Sequence, residues 1–242
     1  MPKVVAYHRP VTVDEAVALL SQPQGTAVAG GTRVNAHPFR FEMVAVDLQS
    51  LGLSFIESGG ASRIRVGATT TLQQLADDVR VPHVLRELAR REEPSTLRTL
   101  ATVGGTVAAG GWESELVTGL LVCDTQVVLH TAAQTKTVSL DVLLADCDLL
   151  RGALITEVSL ATDGTLASAR TGRTPGDQAI VSAVARRSPS GTVAAASGVA
   201  PTPVIVSNPA TLTPPADFRG SSKYRKHLAT VLLARVAQEV SA

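Results

Sequence analysis

Two Gly-Gly-Thr triplets, Gly30-Gly31-Thr32 and Gly104-Gly105-Thr106, are the residues in this sequence whose types and spacing suit ligand chemistry. Glycine has no Cβ, so it adopts positive φ at little cost and lets a ligand approach the backbone closely. Two glycines followed by a threonine can direct several backbone N–H groups and a hydroxyl at one point, which suits the oxygens of a diphosphate. Amide dipoles and helix N-termini can supply the positive potential without a lysine. Each triplet therefore predicts a turn that binds a diphosphate.

A single triplet is also typical of an ordinary tight turn. The repetition favours binding, because each copy follows an apolar, strand-like stretch and leads into a new segment. Gly59-Gly60, in contrast, lies in a polar, hairpin-like stretch and predicts a simple turn. The sequence contains neither a GxGxxG pattern nor a Walker A pattern, so a Rossmann or P-loop nucleotide site has no support.

The remaining titratable residues predict neither a metal site nor a catalytic acid, base or nucleophile. Cys123 and Cys147 form no CxxC pair, and two thiolates cannot complete a four-cysteine iron–sulfur cluster or zinc site. We expect both thiols to be buried and without a chemical role. The five histidines are scattered and form no HExxH pattern.

The composition is typical of a soluble globular protein, with 45% hydrophobic and 18% charged residues among 242. A net charge of +1 and 3% aromatic residues leave neither the basic surface nor the stacking platforms that nucleic-acid binding requires. No apolar run approaches the roughly 20 residues that span a bilayer, and the first residues lack a signal-peptide pattern. We therefore expect a cytoplasmic location, no integral membrane segment and no nucleic-acid partner.

The first triplet follows a predicted strand in a small α/β unit, which covers about residues 1–55. Thr12 and Glu15 form a capping box, which predicts the start of a helix. The predicted strands of this unit are Val4–Tyr7, Thr26–Ala29 and Met43–Leu48, and the second of them leads directly into the triplet.

The second triplet lies in a larger α/β unit, which covers about residues 56–160. Its predicted strands are Ile64–Gly67, Gln126–His130, Thr137–Ser139 and Leu154–Leu160. Its predicted helices begin at Thr70 or Thr71, at Pro82 and at Trp112, and the last of them ends at Leu121.

Beyond residue 161, small residues dominate and predict a third unit. Strand-like runs occur at Thr192–Ala196 and Pro203–Ser207, and an amphipathic helix starts at Ser221. Its predicted apolar face carries Leu228, Val231, Leu232 and Val236, and its predicted exposed face carries Lys223, Arg225 and Lys226. The predicted fold class is α+β, with a two-part α/β domain over residues 1–160 and a smaller α+β domain over residues 161–242.

Taken in order, these segments resemble the FAD-binding (medium) subunit of the molybdenum hydroxylases, the family of carbon monoxide dehydrogenase and xanthine dehydrogenase. Ala29-Gly30-Gly31-Thr32 is similar to the family's first flavin motif. The stretch from Arg98 to Thr106 is similar to the second motif, R-N-x-A-T-I-G-G-N, with Thr in place of each Asn. Further similar stretches are Ile64–Leu72, Arg170–Asp177, Gly198–Pro203 and Ser222–Arg225. The resemblance covers nearly the whole chain, and the implied fold of the first domain is the PCMH type.

The resemblance implies that both triplets hold the diphosphate and adjoining ribose of FAD. The implied diphosphate-end residues are Ala29, Gly30, Gly31, Thr32, Arg33, Thr102, Gly104, Gly105 and Thr106. Glu115 stands where the family has an aspartate that binds the sugar or ribityl part, although an exposed helix glutamate is an equal alternative. Leu154 or Ile155 would lie near the isoalloxazine ring, with a core position as the alternative, and Arg170 would lie close to the flavin. Trp112 replaces a common proline, and packing is favoured over stacking on the cofactor.

The resemblance also implies a role and partners. Electrons would start at molybdopterin on a large subunit, cross [2Fe-2S] clusters on a small subunit, reach FAD here and leave to an external acceptor. Two cysteines are too few for those clusters, which agrees with a separate iron–sulfur partner. The implied assembly is a dimer of heterotrimers. The chain is shorter than the family pattern between Leu144 and Leu154. A flavin-free bridging subunit and a stand-alone flavin oxidoreductase stay open as alternatives.

Overall fold

The computed structural model describes residues 2–36, 41–174 and 176–242. The first part of the chain forms a three-stranded parallel sheet with one packed helix. Its elements are β1 (Lys3–His8), α1 (Val13–Leu20), β2 (Gly25–Val28), α2 (Thr32–Asn35) and β3 (Glu42–Asp47), and the strand order is β1-β3-β2. The Thr12 hydroxyl accepts from the Glu15 N–H at 3.2 Å, which explains why α1 begins at Val13. The carboxyl end of β2 delivers the chain to the first triplet. His37 lies outside the described residues.

The second part is a five-stranded antiparallel sheet covered by helices. It contains β4 (Ile56–Ser58), β5 (Arg63–Gly67), α3 (Leu72–Asp77), α4 (His83–Glu92), α5 (Ser95–Arg98), α6 (Val103–Ala109), α7 (Glu115–Val122), β6 (Gln126–His130), β7 (Thr135–Ser139), α8 (Leu140–Ala145) and β8 (Leu154–Ala161). The strand order is β4-β5-β8-β6-β7. Thr71 caps α3, as one of the two predicted alternatives, through a complete capping box with Gln74. The buried helix α7 packs against α4, where Gly119 leaves room for Leu85 and Leu88.

The third part is a four-stranded antiparallel sheet with a long helix across it. Its elements are β9 (Thr165–Thr171), β10 (Val181–Ser188), β11 (Gly191–Ser197), β12 (Val204–Ile205) and α9 (Ser222–Glu239), in the strand order β12-β11-β10-β9. Buried alanines such as Ala183 and Ala196 let α9 approach the sheet closely, with Leu232 and Val236 facing them. The α+β class is therefore confirmed, although the sequence did not predict β9 and β10. Pro175, part of a motif that carries the resemblance, lies outside the described residues.

The prediction for the exposed face of the last helix is wrong at Arg225. This side chain is fully buried, and its guanidinium donates to the carbonyl oxygens of Ile180 and Gly198 and pairs with Asp217 at 2.7 Å. The guanidinium also lies 4.7 Å from the ring centroid of Trp112, in cation–π geometry. On the predicted apolar face, Val231 is half exposed. A charged residue therefore anchors α9 to the loop before α7.

Other expectations were partly wrong. The predicted helix from Trp112 begins only at Glu115, because the Ser114 hydroxyl accepts from the Val117 N–H at 3.0 Å and caps it. Cys123 is buried, as predicted, and burial raises the pKa of its thiol to about 12. Cys147 is exposed, contrary to the prediction.

Among the described residues, no group of His, Cys, Asp or Glu is arranged to hold a metal ion.

None of the helices in the described ranges is both long enough and apolar enough to cross a membrane.

Replacement of Leu88 by alanine tests the α4–α7 core. Leu88 is fully buried, so its removal leaves a cavity, and we expect Leu88→Ala to lower the free energy of unfolding by about 2–5 kcal/mol. Val79→Ala is the control, because Val79 is 84% exposed. Urea denaturation measures both changes, and equal losses for the two variants would contradict this description of the core.

Candidate functional site

The two triplets lie close together because glycine lets the chain segments around them touch. A Cβ on Gly30 would overlap the carbonyl group of Leu100, which stands just before α6. A Cβ on Gly104 would lie 2.7 Å from the Cβ of Ala68, at the end of β5. Each position thus requires glycine for packing, independently of any ligand. The carboxyl end of β2 and the start of α6 are thereby held against each other.

The first triplet is a true turn with unpaired backbone donors. Gly31 has φ +69° and precedes α2, so the chain turns sharply into the helix. Within the described part of the chain, no acceptor lies within hydrogen-bond reach of the backbone N–H groups of Thr32, Arg33 and Val34. The Thr32 hydroxyl likewise has no partner there. Thr32, Arg33 and Val34, whose N–H groups have no acceptor among the described residues, all line a neighbouring cavity.

The second triplet is not a turn, which corrects the prediction. It forms the first turn of α6, and the Thr102 hydroxyl caps that helix by accepting from the Gly105 N–H at 3.2 Å. The Gly104 N–H donates to the Ala68 carbonyl at 2.9 Å, and the Thr106 N–H donates to the Thr102 carbonyl at 2.9 Å. These amides are therefore already paired. What this triplet offers is an exposed Cα at Gly105, where a ligand can approach closely.

A cavity of about 300 Å³ lies between the triplets and the end of the loop before β8. The predicted site residues that line it are Ala29, Gly30, Gly31, Thr32, Arg33, Thr102, Gly104, Gly105, Thr106 and Leu154. Sequence reasoning missed Ala27, Val34, Leu48, Ala68, Ala108, Ala109, Leu150 and Ala153, and it weighed Ile155 only as an alternative to Leu154. The sequence feature that could have indicated some of these residues is the pair of small residues Ala108-Ala109, which follows the second triplet closely. The walls are mainly apolar, and the polar groups converge at the triplets, as in many ligand sites.

Arg33 is the charged side chain among the described residues that line this cavity. Its Nη2 lies 3.2 Å from Glu93 Oε1 and 3.6 Å from Glu92 Oε1. The Glu92 side chain is 4% exposed, and its Oε2 accepts from the Leu116 N–H at 3.1 Å. Burial raises the pKa of Glu92, while the Leu116 N–H, the Ser114 hydroxyl and Arg33 act in the opposite direction.

Glu115 and Arg170, the other two predicted site residues, are not among the described residues that line the cavity. They pair with each other, with Arg170 Nε 3.1 Å from Glu115 Oε1, and Arg91 Nη1 lies 3.8 Å from Glu115 Oε2. Glu115 is buried, so the alternative of an exposed helix glutamate is wrong. Burial raises the pKa of Glu115, and the two arginines oppose that rise. The pair joins α7 to β9.

Trp112 packs beneath Arg225 and accepts through its carbonyl oxygen from the Gly198 N–H at 2.7 Å. It is absent from the described lining of the cavity. Packing, the favoured prediction for this residue, therefore agrees with the structure.

Comparison with known proteins identifies related families. Residues 3–162 match the family described as the FAD binding domain in molybdopterin dehydrogenase. The uncharacterized protein YgfM of Escherichia coli (strain K12) is 30% identical over 249 residues, which cover 94% of this chain and 93% of YgfM. The putative xanthine dehydrogenase FAD-binding subunit XdhB of the same strain is 30% identical over 141 residues, covering 52% of this chain and 46% of XdhB.

Solved structures share the fold over nearly the whole chain. A chain of the Cu,Mo-CO dehydrogenase, in its cyanide-inactivated form, superposes with a TM-score of 0.85 at 23% identity, covering 99% of this chain and 98% of that one. A chain of quinoline 2-oxidoreductase from Pseudomonas putida 86 gives a TM-score of 0.86 at 21% identity, covering 97% and 96%. At these identities, the likeness describes the fold alone.

Replacement of Gly30 by alanine tests the contact between the two triplets. The added Cβ would overlap the Leu100 carbonyl, so we expect Gly30→Ala to lower the free energy of unfolding by about 1–3 kcal/mol or more. Gly111→Ala is the matched control, because a Cβ there meets no described atom within 4 Å. Denaturant titration of both variants is the measurement. A Gly30→Ala protein as stable as the control would show that the segments do not touch as described.

Proposed function

The chain belongs to the family of FAD binding domains in molybdopterin dehydrogenases, and on that premise we propose that it is the FAD-binding subunit of a molybdenum-containing hydroxylase or dehydrogenase that relays electrons through FAD. The observation that carries the proposal is the cavity between the two triplets, which is lined both by residues with unpaired backbone N–H groups and by apolar side chains. In this proposal the chain acts as an oxidoreductase subunit, and it does so as part of a larger complex.

The residues of this chain fit the diphosphate of FAD. Thr32, Arg33 and Val34 line the cavity, and their backbone N–H groups have no acceptor in the described ranges. Gly105 is exposed there, so no Cβ keeps a phosphate oxygen away from the start of α6. The Thr106 hydroxyl lines the same cavity and has no partner among the described residues. Amide dipoles and hydroxyls of this kind bind phosphate oxygens without a lysine.

The other walls suit the remainder of the cofactor. Leu150, Ala153, Leu154 and Ile155 line the cavity on the side of β8. These side chains exclude water from a bound aromatic group and offer it van der Waals contact. Bound FAD supplies electron transfer in single or paired steps. The part of this chain is to hold, orient and shield the cofactor.

The proposal includes partners that carry the other centres. The sequence has two cysteines, and Cys123 is buried whereas Cys147 is exposed. Four thiolates are required for a [2Fe-2S] cluster of the usual kind, so we assign the clusters to a small iron–sulfur subunit and the molybdopterin to a large subunit. A dimer of heterotrimers is the assembly we propose.

We propose that FAD binding resides in residues 1–160 and that residues 161–242 form a separate carboxy-terminal domain. The three- and five-stranded sheets lie within the first range, apart from the final residue of β8, and the four-stranded sheet with α9 lies within the second. The cavity lining falls within the first range, which supports this division.

A second candidate function, a flavin-free subunit that bridges its partners, is favoured by one observation. Glu115 is engaged by Arg170 and Arg91 instead of lining the cavity. A chain that had lost its cofactor would retain such internal pairs. The experiments below separate the two candidates.

Co-purification with the products of neighbouring reading frames tests the proposal directly. We expect an intact complex to show visible flavin absorption and to release FAD on acid denaturation. Iron and molybdenum should remain with the other subunits after this chain is separated. An intact complex without flavin absorption would refute the relay and support the bridge. Flavin-dependent activity of the isolated chain would instead indicate a stand-alone oxidoreductase.

Replacement of Gly105 by leucine tests where the cofactor lies. Gly105 is exposed and lines the cavity, so a leucine there would add bulk beside the proposed diphosphate site; the described atom nearest its Cβ would be Thr102 Oγ1 at 3.0 Å. We expect the bound FAD to fall at least about tenfold, which corresponds to 1.4 kcal/mol or more. Gly111→Leu is the control, because its Cβ meets no described atom within 4 Å. Unchanged FAD content in a folded Gly105→Leu protein would place the cofactor elsewhere.

A further inference from the structure

A cluster of alternating charges, in which the glutamates are largely buried, extends from the cavity wall to the third sheet. Its members are Arg33, Arg91, Arg170, Glu92, Glu93 and Glu115. Formal charges balance within the cluster, with one arginine for each glutamate. Since Arg33 lines the cavity and the rest do not, this residue is where the cluster meets a ligand.

Arg33 is well placed to change partners. Its side chain is 46% exposed, whereas that of Glu92 is 4% exposed and that of Glu93 is 13% exposed. Its Nη2 is 3.6 Å from Glu92 and 3.2 Å from Glu93, so both contacts are ion pairs without ideal hydrogen-bond distances. The long, flexible side chain of an arginine can rotate, and its planar guanidinium binds phosphate oxygens as well as carboxylate oxygens.

Glu92 depends on Arg33 for charge compensation. Within the described ranges, Arg33 is the basic group that lies within 4.0 Å of its carboxylate. The other groups that face it are the Leu116 N–H and the Ser114 hydroxyl from α7 and the like-charged Glu115. A buried carboxylate that loses its counter-ion favours its protonated form.

The neighbouring charges cannot replace Arg33. Arg91 and Arg170 are both held by Glu115, at 3.8 Å and 3.1 Å. The guanidinium of Arg98 donates to the backbone carbonyls of Arg90 and Glu93 and to the side-chain oxygen of Gln73. Removal of Arg33 therefore leaves Glu92 without a cation.

We propose that Arg33 is a transferable counter-ion. When the cofactor binds, the Arg33 guanidinium moves from Glu92 and Glu93 to the diphosphate, and Glu92 takes up a proton from solvent. This inference rests on the proposed FAD site and adds a proton linkage to it. The step balances charge. The positive charge of Arg33 moves to the diphosphate, and a proton replaces it at Glu92. Glu92 is the proton acceptor because it is more buried than Glu93 and faces Glu115.

The sign of the pH dependence follows from this exchange. Cofactor binding raises the pKa of Glu92, so binding takes up protons between the pKa of the free protein and that of the complex. Affinity for FAD is then highest below that window and falls as pH rises through it. The fall approaches about tenfold per pH unit for a linkage of one proton.

Calorimetric titration of the full chain with FAD measures the linkage without recourse to activity. Heats recorded in buffers of different ionisation enthalpy, from mildly acidic to mildly alkaline pH, give the number of protons exchanged. We expect uptake that approaches about one proton per FAD in the unmodified protein and near none in Glu92→Gln and Arg33→Gln. Glu87→Gln is the matched control, because Glu87 lies on the same helix and pairs with Arg90, outside the charge cluster.

The outcomes are distinguishable from those for the proposed function. FAD that binds the unmodified protein without proton uptake, or uptake that persists in Glu92→Gln, would overturn the exchange and leave the FAD site standing. Failure of the folded chain to bind FAD at all would overturn the proposed function as well. Because the measurement on the unmodified protein needs no substitution, an unfolded variant does not remove the test.

Discussion

The structure depends on a backbone contact that glycine alone permits, the approach of Gly30 to the carbonyl of Leu100. It brings the end of β2 in the small parallel sheet to the start of α6 in the larger antiparallel one. Gly104 likewise lets the start of α6 pack closely against Ala68, at the end of β5. The cavity is what remains between segments that are held this closely. A site assembled from backbone in this way is set by packing, with alanines and glycines near the triplets and larger apolar side chains such as Leu150 and Leu154 on the side of β8.

The sequence predicted much of this fold but misassigned the second triplet. Strands such as β3 and β6 were found because apolar residues and turn residues mark their limits. Gly104-Gly105-Thr106 was expected to form a turn, yet Thr102 caps a helix that contains it. The capping hydroxyl of Thr102 and the packing of Gly104 against Ala68 together outweigh the low helix propensity of two glycines. Strands β9 and β10 escaped because their alanines, serines and arginines show no clear alternation, and their burial depends on α9.

The sequence named Arg33, Glu115 and Arg170 as site residues, but it could not show which charges are buried or how they pair. Nothing in the local pattern distinguishes Arg225, which is fully buried, from the flanking lysines Lys223 and Lys226. The same holds for Glu115, whose partners Arg91 and Arg170 come from distant segments. Buried ion pairs contribute little net stability compared with apolar packing, although loss of one partner is costly. Here the Glu115–Arg170 pair joins α7 to β9, and the Arg33–Glu92 pair joins α2 to α4.

The cation–π contact of Trp112 with Arg225 has an optical consequence. Trp112 is the sole tryptophan of the sequence, and its indole lies where α9 meets the loop before α7. Intrinsic fluorescence of this protein therefore comes mainly from a single position, with a guanidinium against the ring face. Its emission reports the docking of the last helix, and energy transfer from that indole to any nearby chromophore would act as a built-in molecular ruler.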